Sequence, residues 1–122
     1  MQLTLDEKSS PLLIRALGDG QIRIADQTYT SSVLITNDTV HEDWPVRSVA
    51  DLEDAHWAPI LAAAPSIVLF GTGNSLDFPT PAQTAALTTR QIGVEVMDTA
   101  AACRTFNVLL TEGRSVAAAI IL

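Results

Sequence analysis

Cysteine and lysine are scarce in this 122-residue chain, and each scarcity removes a class of function. The single cysteine, Cys103, excludes an internal disulfide and any Cys-x-x-Cys redox or zinc arrangement. Lysine occurs once, at Lys8, and the arginines (Arg15, Arg23, Arg47, Arg90, Arg104 and Arg114) stand singly. Without a basic stripe the chain has nothing to track a phosphate backbone, so nucleic acid is disfavoured as a partner. Fourteen acidic residues against seven basic ones leave a formal net charge of -7, and the excess lies mainly between Asp38 and Asp54, where it reads as a solvated face. The longest apolar runs, Ala58 to Pro65 and Val116 to Leu122, fall well short of the ~20 residues that cross a bilayer, so membrane insertion is not expected. Met1 to Lys8 carry neither a basic stretch before an apolar core nor the Arg-rich, acid-poor look of a transit peptide, which makes the cytoplasm the expected compartment.

What is present is enough for a core. Apolar residues make up 48% of the chain, and no repeat or linker divides it, so residues 1–122 read as one domain. The first third reads as strands. Leu12 to Leu17 is bounded by Pro11 and by the turn Gly18-Asp19-Gly20. Ile22 and Ile24 alternate with polar neighbours, Ala25-Asp26-Gln27 forms a turn, and Tyr29 to Thr36 predicts one further strand running into an Asn37-Asp38 loop. Ser48 and Asp51 resemble a capping box ahead of a helix over Val49 to Trp57, with a second short helix at Pro59 to Ala63.

From Ser66 the pattern becomes regular. Ile67 to Phe70 is a continuous apolar strand, as in a parallel sheet buried on both faces. Thr80-Pro81 opens a helix through about Arg90, and Gly93 to Met97 is the next strand. Asp98 or Thr99 caps a helix from Ala100 to Glu112 that ends at Gly113, and Ser115 to Leu122 is the last strand. The fold class that follows is α/β: a single three-layer domain whose mixed sheet has a parallel β-α-β-α-β C-terminal half and a β-rich N-terminal third.

The segment Gly71-Thr72-Gly73-Asn74, directly behind a strand, sits where many α/β proteins hold phosphate. It lacks the third glycine of a dinucleotide fingerprint, since residue 76 is Leu76, and it lacks the lysine of a P-loop. No helix is expected to start at the glycines, and Asp77 would repel an anion, so the turn is read as a sharp exit from a buried strand and no cofactor is implied. Its position still matters, because crevices form at the carboxyl ends of parallel strands. The candidate binding crevice comprises Gly71, Thr72, Gly73, Asn74, Asp98 and Thr99, with Arg104 and Asn107 on the following helix. Asn107, unhelpful to a helix interior, is expected to hydrogen-bond a neighbouring loop such as the Gly71 to Asn74 turn. Arg104 either pairs with Asp98 or Glu95 or stays solvated. Cys103 reads as a small buried hydrophobe, since His41 and His56 lie in the acidic region and offer it no evident base; no catalytic set is assigned. His41-Glu42-Asp43 and Asp51 to His56 match no metal-ligand spacing and read as acidic surface, anchored to the core by Trp44 and Trp57.

The stretches "VLFGTGNSLDFP" and "GVEVMDTAAACRTFNVLLTEGRSVAAAIIL" also resemble a known family. The likeness extends over Tyr29 to Ile35 and Trp44-Pro45, and is most specific at Gly71-x-Gly73, Met97-x-Thr99, Thr105-x-Asn107 and Glu112-Gly113-Arg114. The sequence is similar to the small single-domain family of largely unknown function that includes the mitochondrial complex I assembly factor 3 and bacterial and archaeal proteins. The resemblance implies a compact three-layer α/β domain, no established enzymatic activity, and work through protein contacts, with subunits of a membrane complex as the implied partners. Two alternatives stay open: a small-ligand site or cryptic enzyme at the crevice, and a homo-oligomer in which the apolar C-terminal strand is covered by another copy rather than by the domain.

Overall fold

The computed structural model describes residues 12–36 and 38–122. Met1 to Lys8, Pro11 and Asn37, which figure in the expectations above, lie outside the described residues. Among the described residues eight strands build two sheets. Strands β1 (Ile14–Gly18), β2 (Gln21–Ile24) and β3 (Gln27–Tyr29) form a small antiparallel sheet. Strands β4 (Val33–Ile35), β5 (Val40–His41), β6 (Ile67–Gly71), β7 (Gly93–Met97) and β8 (Val116–Ile120) form the central sheet in the order β5-β4-β8-β6-β7. β6 runs parallel to both β7 and β8, while β4 pairs antiparallel with β8 and β5. Helix α1 (Ala58–Ala63) precedes β6, α2 (Pro81–Thr88) joins β6 to β7, and α3 (Thr99–Thr111) joins β7 to β8. This is the expected α/β architecture with its parallel C-terminal half.

Alternation along the buried strands divides the core in two. Val68, Phe70, Ala117, Ala119 and Leu34 face a layer containing Trp44, Trp57, Ile60 and Leu87. Leu69, Ala118, Ile120, Val33 and Ile35 face α3 and the small sheet, through Phe106, Ala102, Ile22 and Ile24. β8 lies in the middle of the central sheet and is buried over its whole length, so the C-terminal strand is covered by the domain's own elements. On the first side Trp44, Trp57 and Phe70 pack with ring centroids 5.6 to 6.3 Å apart. Both indoles donate to backbone carbonyls, Trp44 to His56 at 2.9 Å and Trp57 to Gln83 at 2.8 Å, which satisfies their N–H groups in the interior.

Two expected elements are divided in the structure. The single strand over Tyr29 to Thr36 is two strands in different sheets: the chain leaves the small sheet after Tyr29 and enters the central one at Val33. The crossing is held by the Trp44 N–H donating to the Ser32 carbonyl and by the Ser31 hydroxyl donating to Asp43. The helix expected over Val49 to Trp57 is two 3-10 turns, Val49–Asp51 and Asp54–Trp57, separated by buried Leu52 in an extended conformation. The Gln83 side-chain amide on α2 donates to the carbonyls of Val49 and, more weakly, Leu52. A long-range partner thereby replaces helical bonds there. Asp51 does behave as a cap, its carboxylate accepting from the Ser48 and Arg47 N–H groups.

At the other end the agreement is close. Asp98 caps α3 by accepting from Ala101 N–H, and Gly113, at φ 77°, closes it. Gly113 and Arg114 donate to the Leu110 and Leu109 carbonyls in the pattern of a Schellman ending. Asn107 does not reach the Gly71 to Asn74 turn. Its side-chain amide instead pairs with the backbone of Ile14 in both directions, accepting from the N–H and donating to the carbonyl at 2.8 Å each. It imitates a strand neighbour and fixes β1 against α3. Asn107→Ala leaves both Ile14 groups without that partner and should cost ~1–3 kcal/mol. Denaturant unfolding, together with faster amide exchange at Ile14 than in the rest of β1 and β2, is the check.

Candidate functional site

The carboxyl ends of β6, β7 and β8 lie along one edge because the three strands are parallel. The turn leaving β6 is tied down at that edge. Thr72 N–H donates to the Met97 carbonyl, and its hydroxyl donates to the Ser75 carbonyl at 2.7 Å while accepting from Asp77 N–H. Gly73, at φ 103°, donates to the Thr99 hydroxyl at 2.8 Å, and Thr99 N–H donates back to the Gly73 carbonyl. The Thr99 hydroxyl then donates to the Ile121 carbonyl, while Ile121 N–H donates to Gly71. One buried hydroxyl thus joins the ends of β6 and β8 to the start of α3. The outward-facing amides of a phosphate cradle are absent at Thr72 and Gly73, because those N–H groups are already engaged, and the next helix starts only at Pro81.

Of the predicted crevice residues, Gly73, Asn74, Asp98 and Thr99 border a cavity of about 430 Å³. Its other wall is the β1–β2 turn around Asp19, and Ile121 and Leu122 form part of its lining. Gly71 and Thr72 are buried and are not among its lining residues. Asn74 is exposed, while the Asp98 carboxylate caps α3. Arg104 and Asn107 do not belong to that cavity. They border a separate groove of about 260 Å³ along the seam between α3 and β1, with Arg15, Ala100 and Cys103. Among the described residues Arg104 makes no ion pair, so of its two expected fates the solvated one holds. The ion pair seen is Arg114 with Glu112 at 3.9 Å, on the surface.

Cys103 is buried, and burial pushes its thiol from the ordinary 9.0 up to about 12, with Arg104 opposing the shift. It therefore stays a neutral thiol at physiological pH, a poor nucleophile. In the acidic region His56 Nδ1 accepts from Glu53 N–H, and Asp43 accepts from Ser31. Among the described residues no three His, Cys, Asp or Glu side chains gather as a metal site. Sequence reasoning missed two features. Arg15 joins Arg104 in the groove, a convergence with no local signal. Leu76 and Phe78 stand 53% and 68% exposed in the loop before α2, which the "LDF" pattern within a polar stretch could have suggested.

Two outcomes follow from this geometry. Thr99→Val keeps the shape of the side chain but strips the hydroxyl from Gly73 N–H and the Ile121 carbonyl; a loss of ~1–3 kcal/mol in denaturant unfolding is expected, with Thr99→Ser much closer to the native protein. For Cys103, both folded and unfolded chains hold the thiol proton below about pH 9, and between about 9 and about 12 only the unfolded chain releases it. This cysteine's contribution to stability is therefore lost as pH rises through that window. The denaturant midpoint of Cys103→Ala should fall less than that of the native chain between neutral pH and about pH 10.

Residues 14–121 match the family described as "Protein of unknown function (DUF498/DUF598)". Over 80 residues, 64% of this chain, the sequence is 40% identical to NADH dehydrogenase (ubiquinone) 1 alpha subcomplex assembly factor 3 of Mus musculus. That stretch is 43% of the relative, so the chain spans less than half the length of the curated relatives it matches. A Xanthomonas campestris protein solved by NMR is 42% identical, with 88% of this chain and 82% of that one covered and a TM-score of 0.78. A Bordetella parapertussis crystal structure is 34% identical with a TM-score of 0.84, covering 91% of this chain and 95% of its own. The chain belongs to the DUF498/DUF598 family, whose fold it shares over almost its whole described length.

Proposed function

We propose that this protein is a non-enzymatic accessory factor that acts through protein contacts in the assembly of a respiratory or other membrane complex. The observation that carries the reading is the 40% identity, over 80 residues, with a protein named as an assembly factor. The local chemistry fits it. The polar side chains at the strand ends that could do catalysis or hold a ligand, Thr72, Thr99 and Asp98, are engaged in closing the turn and capping α3. The exposed surface meanwhile offers Leu76 and Phe78 beside that closed edge, apolar groups of the kind that anchor protein contacts. Among the described residues no helix is long and apolar enough to cross a membrane; in this reading the chain works from the cytoplasm and docks on exposed subunits of the complex.

A second reading rests on the cavity of about 430 Å³ beside Asn74, which is large enough for a small molecule. Affinity capture of the tagged protein from detergent-solubilised cells of its own source, read by mass spectrometry, separates the two. The assembly reading expects subunits of a membrane complex, lost by about tenfold or more in a Leu76→Ser, Phe78→Ser variant that folds normally, as for removal of a hot spot. Capture of nothing but the bait, together with a thermal shift by a small ligand that disappears in Asn74→Ala, would overturn it in favour of the cavity.

A further inference from the structure

The seam between α3 and β1 gathers positive charge in a chain that has little of it. Six arginines and one lysine stand against fourteen acids, yet Arg15 and Arg104 border one groove of about 260 Å³, and among the described residues no acidic side chain does. Both arginines are exposed, and among the described residues neither makes an ion pair. The placement is built by the fold rather than left to two flexible side chains. The register of β1 on β2 slips between Ile14 and Ala16, so Arg15 is a bulge residue without a cross-strand partner. Bulges of this kind re-aim a side chain. Asn107 grips the backbone of Ile14 immediately before it from α3, and Arg104 lies three residues earlier on the same helix, on a neighbouring face. The Asn107 bonds therefore hold the two guanidinium-bearing segments side by side.

Among the described residues the rest of the lining is apolar or neutral, including Ala16, Leu17, Ala100 and the un-ionised Cys103. Leu17 and Ala100 also border the neighbouring 430 Å³ cavity, whose charged lining groups, Asp19 and Asp98, are acidic. The cationic patch is thus narrow and bounded by acid. Two guanidinium groups over an apolar floor suit a carboxylate carried next to an apolar group, since arginine pairs with carboxylates through two parallel N–H donors while its stem covers apolar surface.

We infer that the Arg15–Arg104 groove is a docking site for an acidic, apolar-flanked segment of a partner protein. The inference rests on the proposed function in taking a protein as the occupant; the charge complementarity comes from the groove alone. It also sets a preference opposite to that of the whole molecule. With a net charge of -7, general electrostatics draws a basic peptide and repels an acidic one.

Two fluorescein-labelled short peptides, one alternating Glu and Leu and the other Lys and Leu, provide the test by fluorescence anisotropy with the full chain. The expected result is tighter binding of the Glu/Leu peptide, weakened about tenfold or more by Arg15→Glu with Arg104→Glu and weakened by salt. The control Arg23→Glu with Arg90→Glu makes the same change in net charge outside the groove and should leave binding nearly unaltered. Amide shifts on titration should centre on Ala16, Ala100 and Arg104. Preference for the Lys/Leu peptide, equal losses in the two double variants, or shifts centred elsewhere would overturn the groove assignment. Inorganic phosphate that displaces the Glu/Leu peptide at equal concentration would do so too, by showing a small-anion site. None of these results bears on whether the chain captures complex subunits, so this inference and the assembly reading fail separately.

Discussion

The direct seating of α3 on the central sheet is the constraint on which the rest of the structure depends. At Gly71 there is no room for a side chain: a β-carbon there would lie 2.9 Å from the Thr99 hydroxyl and 3.1 Å from the Ala102 methyl. On the neighbouring strand β8, Ala118 is the small residue on the face that α3 covers, between Val116 and Ile120. Because the helix comes so close, one threonine hydroxyl can reach the backbone on both sides of it, at Gly73 and at Ile121. The same approach carries Asn107 to the edge of β1 and so attaches the small sheet. A bulkier residue at position 71 would move the helix and disturb all of these contacts together.

The opposite face of the sheet is organised by different means. There the covering layer is irregular, made of two 3-10 turns, the short α1 and α2, and its order comes from large aromatic groups with polar tips. Trp44, Trp57 and Phe70 fill the interior, and each indole N–H is tied to a carbonyl of the segment that covers it. Gln83 serves as a clasp, its amide side chain donating to Val49 and its carbonyl accepting from Trp57. The acidic stretch is therefore a lid with a buried aromatic underside and a charged outer surface.

The distribution of function follows from this division. Thr72, Thr99 and Asp98 of the candidate crevice are engaged in hydrogen bonds within the molecule, while exposed features include the Leu76 and Phe78 loop and the cationic seam at Arg15 and Arg104. That arrangement supports the proposed reading of a protein that acts through protein contacts. Kinship with proteins named as assembly factors agrees with it.

The elements of the C-terminal half were legible to within about two residues at their ends. Its strands are apolar runs, its helices carry their own caps at Thr80, Asp98 and Gly113, and these signals act within a few residues of where they are written. The crevice residues were legible only in part: Gly73, Asn74, Asp98 and Thr99 meet because neighbouring parallel strands must end together, while Arg104 and Asn107 belong to another groove. The β-α-β-α-β half, the buried aromatic anchors and the acidic balance can be read from the residues alone, because periodicity, capping and composition are local properties. Only the tertiary structure decided where the chain changes sheets after Tyr29, why the segment over Val49 to Trp57 breaks at Leu52, and that Asn107 holds Ile14 and brings Arg15 beside Arg104. Each of those outcomes turns on a hydrogen bond or contact between residues far apart in the chain, and no short window of sequence contains both partners.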